Sequence, residues 1–536
     1  MSESRARLLS VKVRQRLGRS ASTALNRIPW ASDRRILRTL PEAGAATRIA
    51  VLSDGGLPEL LADIERTWPD AKLTVVGPGS DVHVVLAANG RFDVVIDAWP
   101  VDGNRVQRFQ SAFYHLRQEG SYIVVGGAAE ASNASPGSLG AFLAEGGPVI
   151  GEVFAQREDL VVTSRASRVL AELDEPRTAA YLAARPELGR VLKTIEAVPV
   201  PPPRFSEGPI VREPRTDRPM RPSPITLREF YDVYVAPHQV VGTDRVLYAD
   251  TFRRSPHLTQ RHVRPVAPRF GTPRADWSRS ARELPGTYLH LDNEFRGHFG
   301  HVLTETAGRA WTWPEARELD PSVRALVGAT RKRPTITEWE AEIYEAFGIP
   351  RDRLTVIDGP VKVERLISGT SLFSNLDYVH PLITQAWDLA GDRLAAAAST
   401  IERPRRIFVS RREDKRSCRN SAAVEKYFGT YGFTTVYPED WPIGEQVALF
   451  RGADVIAGFA GSGMFQIALV KQPKHVLSLS HSRYRARNEY FMAAARGHRL
   501  DAIISKPDDP ADFQSSFTFD FADEGERLRE LLEALA

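Results

Sequence analysis

Between Arg403 and Gly463, short apolar runs alternate with polar loops and helix starts in an order that few folds can accept. Arg406-Ile407-Phe408-Val409 reads as a buried strand, Gly444 to Phe450 as an amphipathic helix and Ala453 to Ala457 as a second buried strand. Gly458 to Gly463 reads as a flexible turn opening an apolar helix, Met464 to Val470. Strand, helix and strand in that order build a parallel sheet, and such sheets hold ligands outside the carboxyl ends of their strands. Ser410, Arg411 and Arg412 stand at one such end. A glycine-rich turn before a helix presents free N–H groups and the positive end of the helix dipole, a seat for phosphate. Arg411, Arg412 and Arg416 add forked donors that match phosphate oxygens in pairs. Either feature alone fits a solvated basic loop or an ordinary tight turn. Both inside one α/β unit point to one diphosphate, held by the arginines and by Gly461, Ser462 and Gly463.

At 536 residues the chain exceeds one ordinary core, so two or three domains are expected. With 42% hydrophobic and 26% charged residues it falls among globular proteins. Lys+Arg of 71 against Asp+Glu of 67 leaves only +4, and with no zinc-finger spacing or basic-aromatic RNA motif a nucleic-acid partner is not expected. The lone Cys418 excludes an intramolecular disulfide and a multi-thiolate metal site, and fits a reducing cytoplasm. No apolar run approaches the ~20 residues that span a bilayer, and the N-terminus lacks a signal-peptide core, so a cytoplasmic location is expected. Residues 1–20 set Arg5, Arg7, Lys12, Arg14, Arg16 and Arg19 among Leu8, Leu9, Val11, Val13 and Leu17. That pattern reads either as a basic amphipathic helix touching the inner face of the plasma membrane or as a solvated or partner-packed arm.

The stretch carrying Arg406, Ser410-Arg411-Arg412, Arg416 and Asn420, then Gly432-Phe433, Glu445-Gln446, Phe450, Ala453-Asp454, Gly458 and Gly461-Ser462-Gly463 resembles the C-terminal part of glycosyltransferase family 61. That family includes bacterial capsule and surface-polysaccharide enzymes. Upstream, TYLHLDNEFRGHFGHVLTETAGRAW over Thr287 to Trp311 carries Phe299, His301, Leu303, Glu305 and Arg309 of the family's second motif. Here His298 replaces an asparagine, Ala460 a histidine and Ser421 a glutamate. The resemblance implies a GT-B-like pair of Rossmann-type lobes. It also implies an inverting, metal-independent glycosyltransferase with a UDP-linked sugar as donor substrate and no separate cofactor. The acceptor would be a glycan or lipid-linked glycan in bacterial surface or capsular polysaccharide synthesis. Donor contacts fall on Ser410, Arg411, Arg412, Arg416, Asn420, Glu445, Gln446, Gly461, Ser462 and Gly463, with Glu445 facing ribose hydroxyls or simply solvent. No D-x-D triplet is present to chelate a divalent cation. A helix starting near Gly297 to Gly300 would stack His301 and Glu305 one turn apart. His301 is the first candidate for the base, since an unperturbed imidazole titrates near ~6.5 and Glu305 would fix its tautomer. His298 and Asp292 are the reserves, and a purely structural His301/Glu305 pair is the plain alternative.

Residues 48–128 alternate RIAVLSDGG, a helix from Pro58 to Thr67, KLTVVGPG, VHVVL, FDVVIDAW, a helix through Phe109 to Gln118, and GSYIVVGG. This doubly wound pattern resembles the class I methyltransferase domain. Its first turn reads Ser53-Asp54-Gly55-Gly56-Leu57 instead of G-x-G, and Gly77 stands where an acidic residue would hold ribose. The pattern therefore implies a degenerate, structural or docking domain, with Asp97 either catalytic or, more simply, closing its strand. Residues 137–198 read as mostly helical, and Pro199 to Pro224 as an extended surface connection. The expected organisation is a basic arm over 1–47, the methyltransferase-like domain over 48–195, a linker over 196–224, the acceptor lobe over 225–400 and the donor lobe over 401–536. Glu524 to Leu535 reads as an amphipathic helix packed back on an earlier lobe. Two alternatives stay open: a non-catalytic scaffold of a polysaccharide assembly complex, and a two-activity methyltransferase-glycosyltransferase. A homo-oligomer fits either.

Overall fold

The computed structural model describes residues 47–536 except 56–57, 100–103, 148, 157, 166–167, 211–218, 252–262, 275, 376, 400–402, 413–414 and 536. The basic arm expected over residues 1–47 lies outside them, apart from Thr47. The chain is α/β and divides into two units. One comprises the residues up to 185 with 243–249 and 263–274, the other residues 186–242, 250–262 and 275–536.

In the first unit Arg48–Leu52 pairs in parallel with Lys72–Val76 on one side and Phe92–Asp97 on the other, and Leu116–Val124 continues the parallel run. Asp159–Ser164 and Ile150–Gln156 close the sheet antiparallel. Ile49 to Leu52 are all buried, as an apolar run covered on both faces requires. VHVVL is a helix, Val82–Asn89, because the Asp81 carboxylate caps the N–H groups of His83 and Val84. The helix expected through Gln118 stops at Ala112, and the strand begins at Leu116. The stretch expected to be mostly helical after Gly137 is mixed. Its helices Leu139–Glu145 and Glu175–Ala184 flank the two antiparallel strands, which supply buried Leu160, Val161 and Val162 to the sheet. Asp97 is buried, accepts from Tyr122 Oη at 3.1 Å and faces Arg108 Nε at 3.5 Å, so it closes its strand inside a polar cluster.

The second unit holds two sheets. The first runs Val240–Gly242, Ile225–Ala236, Val361–Gly369, Arg282–His290, Arg324–Gly328, Leu354–Ile357, parallel from Val361–Gly369 onward, with Gly189–Ile195 also pairing on Ile225–Ala236. The other is wholly parallel: Thr434–Val436, Arg406–Val409, Val455–Phe459, His475–His481, Arg499–Ser505, Phe205–Pro209. The last strand corrects the reading of the proline-rich stretch as connection alone. An edge strand tolerates proline because one side of it needs no ladder donor. The helix Ile383–Ala396 joins the sheets through one continuous core, from Leu289 and Val327 across Trp387 to Ile407 and Ile456. The C-terminal helix, Gly525–Glu533, packs on its own sheet and not on an earlier lobe. Leu528, Leu531 and Leu532 fill the face that carries Phe408, Ala457 and Ile503. Among the described residues no helix is long and apolar enough to cross a membrane.

Candidate functional site

In the parallel sheet the chain leaves Arg406–Val409 toward the Thr434–Val436 edge and returns on its other side as Val455–Phe459. The strand order therefore reverses between these two strands, which is where open α/β sheets leave a crevice. Arg411 and the Gly461 turn stand together at its mouth and form one lip of the site. Gly461 has φ +134°, and a Cβ there would lie 2.7 Å from Arg411 Nη2 and 3.5 Å from Arg416 Nη2, so glycine alone permits the close approach. Arg411 is fixed by the carbonyls of Lys415 at 3.2 Å, Phe459 at 3.3 Å and Ala460. Arg416 lies over the Tyr484 ring at 4.6 Å with its backbone at φ +61°, a sparsely populated region that clusters at binding sites. Its Nε is buried with no partner among the described residues. The Gly461 N–H donates to Glu489 Oε1 at 2.7 Å, and Tyr484 Oη donates to the same carboxylate at 3.3 Å. Glu489 also lines a cavity of about 430 Å3 with Phe205, Glu207, Ser478, Arg487 and Tyr490. The helix after the turn is 3-10 and starts at Ser462, two residues earlier than expected, because Met464 N donates back to Gly461 O.

Other expected donor contacts are occupied elsewhere. Arg412 is exposed, pairs with Asp440 at 2.6 Å and stacks on Tyr437, away from the turn. Ser410 donates to Glu425. Asn420 bridges the Phe519 backbone, donating at 2.8 Å and accepting at 2.9 Å, and so pins the C-terminal segment. Glu445 accepts from the Ser399 N–H and from Arg403 at 2.9 Å, contacts that hold its carboxyl below the usual range. Gln446 bonds Gln466 at 2.8 Å and Trp441 O at 2.9 Å. These five serve the lobe's own loops because each side chain finds a neighbour nearer than the crevice.

At the other lip the helix begins at Phe299, and Val302–Thr306 forms a π turn within it. Such turns store an irregular backbone where a side chain must be re-aimed. Trp387 Nε1 satisfies the Leu303 carbonyl at 2.8 Å and Thr304 Oγ1 the Gly300 carbonyl at 2.8 Å. His301 Nδ1 and Glu305 Oε1 are 2.7 Å apart, and Glu305 Oε2 accepts the Glu294 N–H at 3.2 Å. His298 meets His301 edge-on at 5.0 Å. Burial, then the neighbouring His301 and Arg416, push its pKa down to about 4. One edge of the ring stays open to solvent while the protein around the rest of it removes water, and the ring is neutral at pH 7. Asp292 is removed from the base candidates. Its two oxygens accept from the N–H groups of His238, Gln239, Asn293 and Gly328 at 2.7 to 3.0 Å, which fills the carboxylate. Behind the helix, Arg309 and Arg228 converge on fully buried Asp250 at 3.0 and 3.2 Å. Burial alone would raise that carboxyl, and Arg228 leads the contacts that outweigh it and hold it well below its ordinary value.

The two lips touch. A Cβ on Gly300 would fall 2.9 Å from Ser462 Oγ and 2.8 Å from the Phe465 ring, so the start of the His301 helix is pressed against the glycine turn. Residues 299–477 match the family model Glycosyltransferase 61. That third of the chain is supported as a glycosyltransferase 61 domain, and it contains His301, Glu305, Arg411, Arg416 and the Gly461 turn. The search of curated proteins returned no match. Glu489 and Tyr484 lie beyond the glycosyltransferase 61 match; Tyr484, Asn488 and Tyr490 mark a segment whose sequence resembles the last donor-contacting segment of that family, but no signal in the sequence singled out Glu489 itself. Among the described residues no group of three or more His, Cys, Asp or Glu is placed to hold a metal ion. Cys418 is buried, which pushes its thiol up to about 11 and away from nucleophilic use.

Proposed function

We propose that the second unit transfers a sugar from a UDP-linked donor to a hydroxyl of a glycan or lipid-linked glycan, with inversion and without a metal ion, in bacterial surface or capsular polysaccharide synthesis. Its two sheets act as a GT-B-like pair of lobes. One observation carries the reading: the Arg411 and Arg416 guanidinium groups converge on Gly461 at the strand-order reversal, with the His301/Glu305 pair pressed against the same turn through Gly300.

His301 donates its Nδ1–H to Glu305, which leaves Nε2 as the basic nitrogen. Nε2 takes the proton from the acceptor hydroxyl as its oxygen attacks the anomeric carbon. The bond from that carbon to the diphosphate oxygen breaks on the opposite face, and the electron pair leaves with the nucleoside diphosphate. Arg411, Arg416 and the N–H groups of Ser462 and Gly463 meet the charge that develops there, already in place before the bond breaks. His298, whose basicity is lowered by burial and by the neighbouring His301 and Arg416, is a poor acceptor for that proton.

Thermal unfolding in a panel of nucleotide sugars tests the proposal. A true donor stabilises the native state by about 2.7 kcal/mol at a hundredfold excess over its Kd. A panel in which no nucleotide sugar raises the transition removes the donor assignment.

A further inference from the structure

We infer that Glu489 is a positioning residue of the diphosphate clamp, a role that rests on the donor reading above. Glu489 is 4% exposed, and its carboxylate makes two contacts that matter here. It accepts the N–H of Gly461 at 2.7 Å, and it accepts Tyr484 Oη at 3.3 and 3.4 Å. Tyr484, itself 3% exposed, is the ring on which the Arg416 guanidinium lies at 4.6 Å. One carboxylate therefore fixes both halves of the clamp, the peptide plane of the turn and the platform under the arginine.

The chemistry explains why an acid stands where an anion is to bind. The Gly461 N–H is taken by Glu489, which fixes the peptide plane at the start of the turn that carries the Ser462 and Gly463 N–H groups. A buried carboxylate also needs compensating donors. The Gly461 N–H and the Tyr484 hydroxyl are two of them. Hydrogen-bond acceptance by one oxygen is the working property, and glutamine keeps it while alanine does not.

The test is calorimetric titration of the full chain with inorganic pyrophosphate and with UDP, using E489Q, E489A and Y484F. E489Q is expected to bind both within about threefold of the wild type, and E489A about tenfold or more weakly, since a buried donor loses its acceptor. Y484F is expected to fall between, because it frees the platform but not the turn. A structural role alone would lower the unfolding temperature of both Glu489 variants while leaving Kd unchanged in the folded protein. Wild-type affinity in E489A overturns the inference, and so does an E489Q as weak as E489A. If E489A does not fold, the comparison of E489Q with Y484F decides, and equal wild-type affinity in both overturns it. If the wild type binds neither ligand, the diphosphate seat itself falls first and this role with it.

Discussion

Arg411 and Arg412 are neighbours with identical side chains, yet only Arg411 faces the glycine turn. Three backbone carbonyls orient Arg411, whereas Arg412 follows the alternation of the chain outward to Asp440 and the Tyr437 ring. An exposed pair of that kind contributes about 0–1 kcal/mol. Arg412→Ala is therefore expected to leave UDP affinity within about threefold of wild type by calorimetry, and a tenfold loss would return Arg412 to the site. His301→Ala is expected to lower kcat by about 10²- to 10⁴-fold, as loss of a general base does, with UDP affinity nearly unchanged. Steady-state donor turnover set beside equilibrium titration separates the two effects. Equal loss in both would make the His301/Glu305 pair structural.

The element that aims His301 is a short helix broken by a π turn, and its footing is the buried Asp250 cluster. Replacing Asp250 with alanine leaves Arg228 and Arg309 charged and uncompensated, which is expected to cost about 3–5 kcal/mol. Urea unfolding of Asp250→Ala measures it, and a cost below ~1 kcal/mol would show that the cluster does not anchor the helix. Much at this scale was legible in the sequence. The strand at Arg406, the turn at Gly461 and the spacing of His301 and Glu305 follow from local apolar pattern, glycine placement and helical periodicity. Side chains whose partners lie far along the chain were not legible. Arg412 meets Asp440 28 residues on, Glu445 reaches back 46 residues to Ser399, and Asn420 binds a segment 99 residues away. The sequence alone also gives no sign of the π turn, because its carbonyls are satisfied by tertiary donors such as the Trp387 indole N–H and not by local propensity. Phe205–Pro209 was hidden for the same reason, since an edge strand is made by the sheet it joins.

For the molecule as a whole, stability should depend on pH through histidines buried in the neutral state. His498 accepts the Lys474 N–H at Nδ1 and donates from Nε2 to the Ile467 carbonyl, both at 3.0 Å. Burial is the largest cause holding its pKa at about 4, against 6.5 for an unperturbed ring. Between these values the unfolded chain binds the proton and the folded one does not, so the contribution is complete above pH 6.5 and is lost as pH falls toward 4. At full loss it amounts to about 3 kcal/mol. Thermal melts are expected to show a lower transition at pH 5 than at pH 7.5, and a smaller drop in His498→Gln. A transition that rises on acidification would contradict this.

The central claim is that guanidinium groups and the turn at Gly461 hold a diphosphate in the crevice without help from a cation. Calorimetric titration of UDP in excess EDTA, into wild type and Arg411→Ala, tests it directly. The account predicts saturable binding by the wild type and at least tenfold weaker binding by Arg411→Ala, with the same unfolding temperature in both proteins, consistent with the ~1.5–3 kcal/mol of a hydrogen bond to a charged group. Wild-type binding that vanishes in EDTA and returns with Mn²⁺, or an Arg411→Ala that binds UDP as tightly as the wild type, would contradict it.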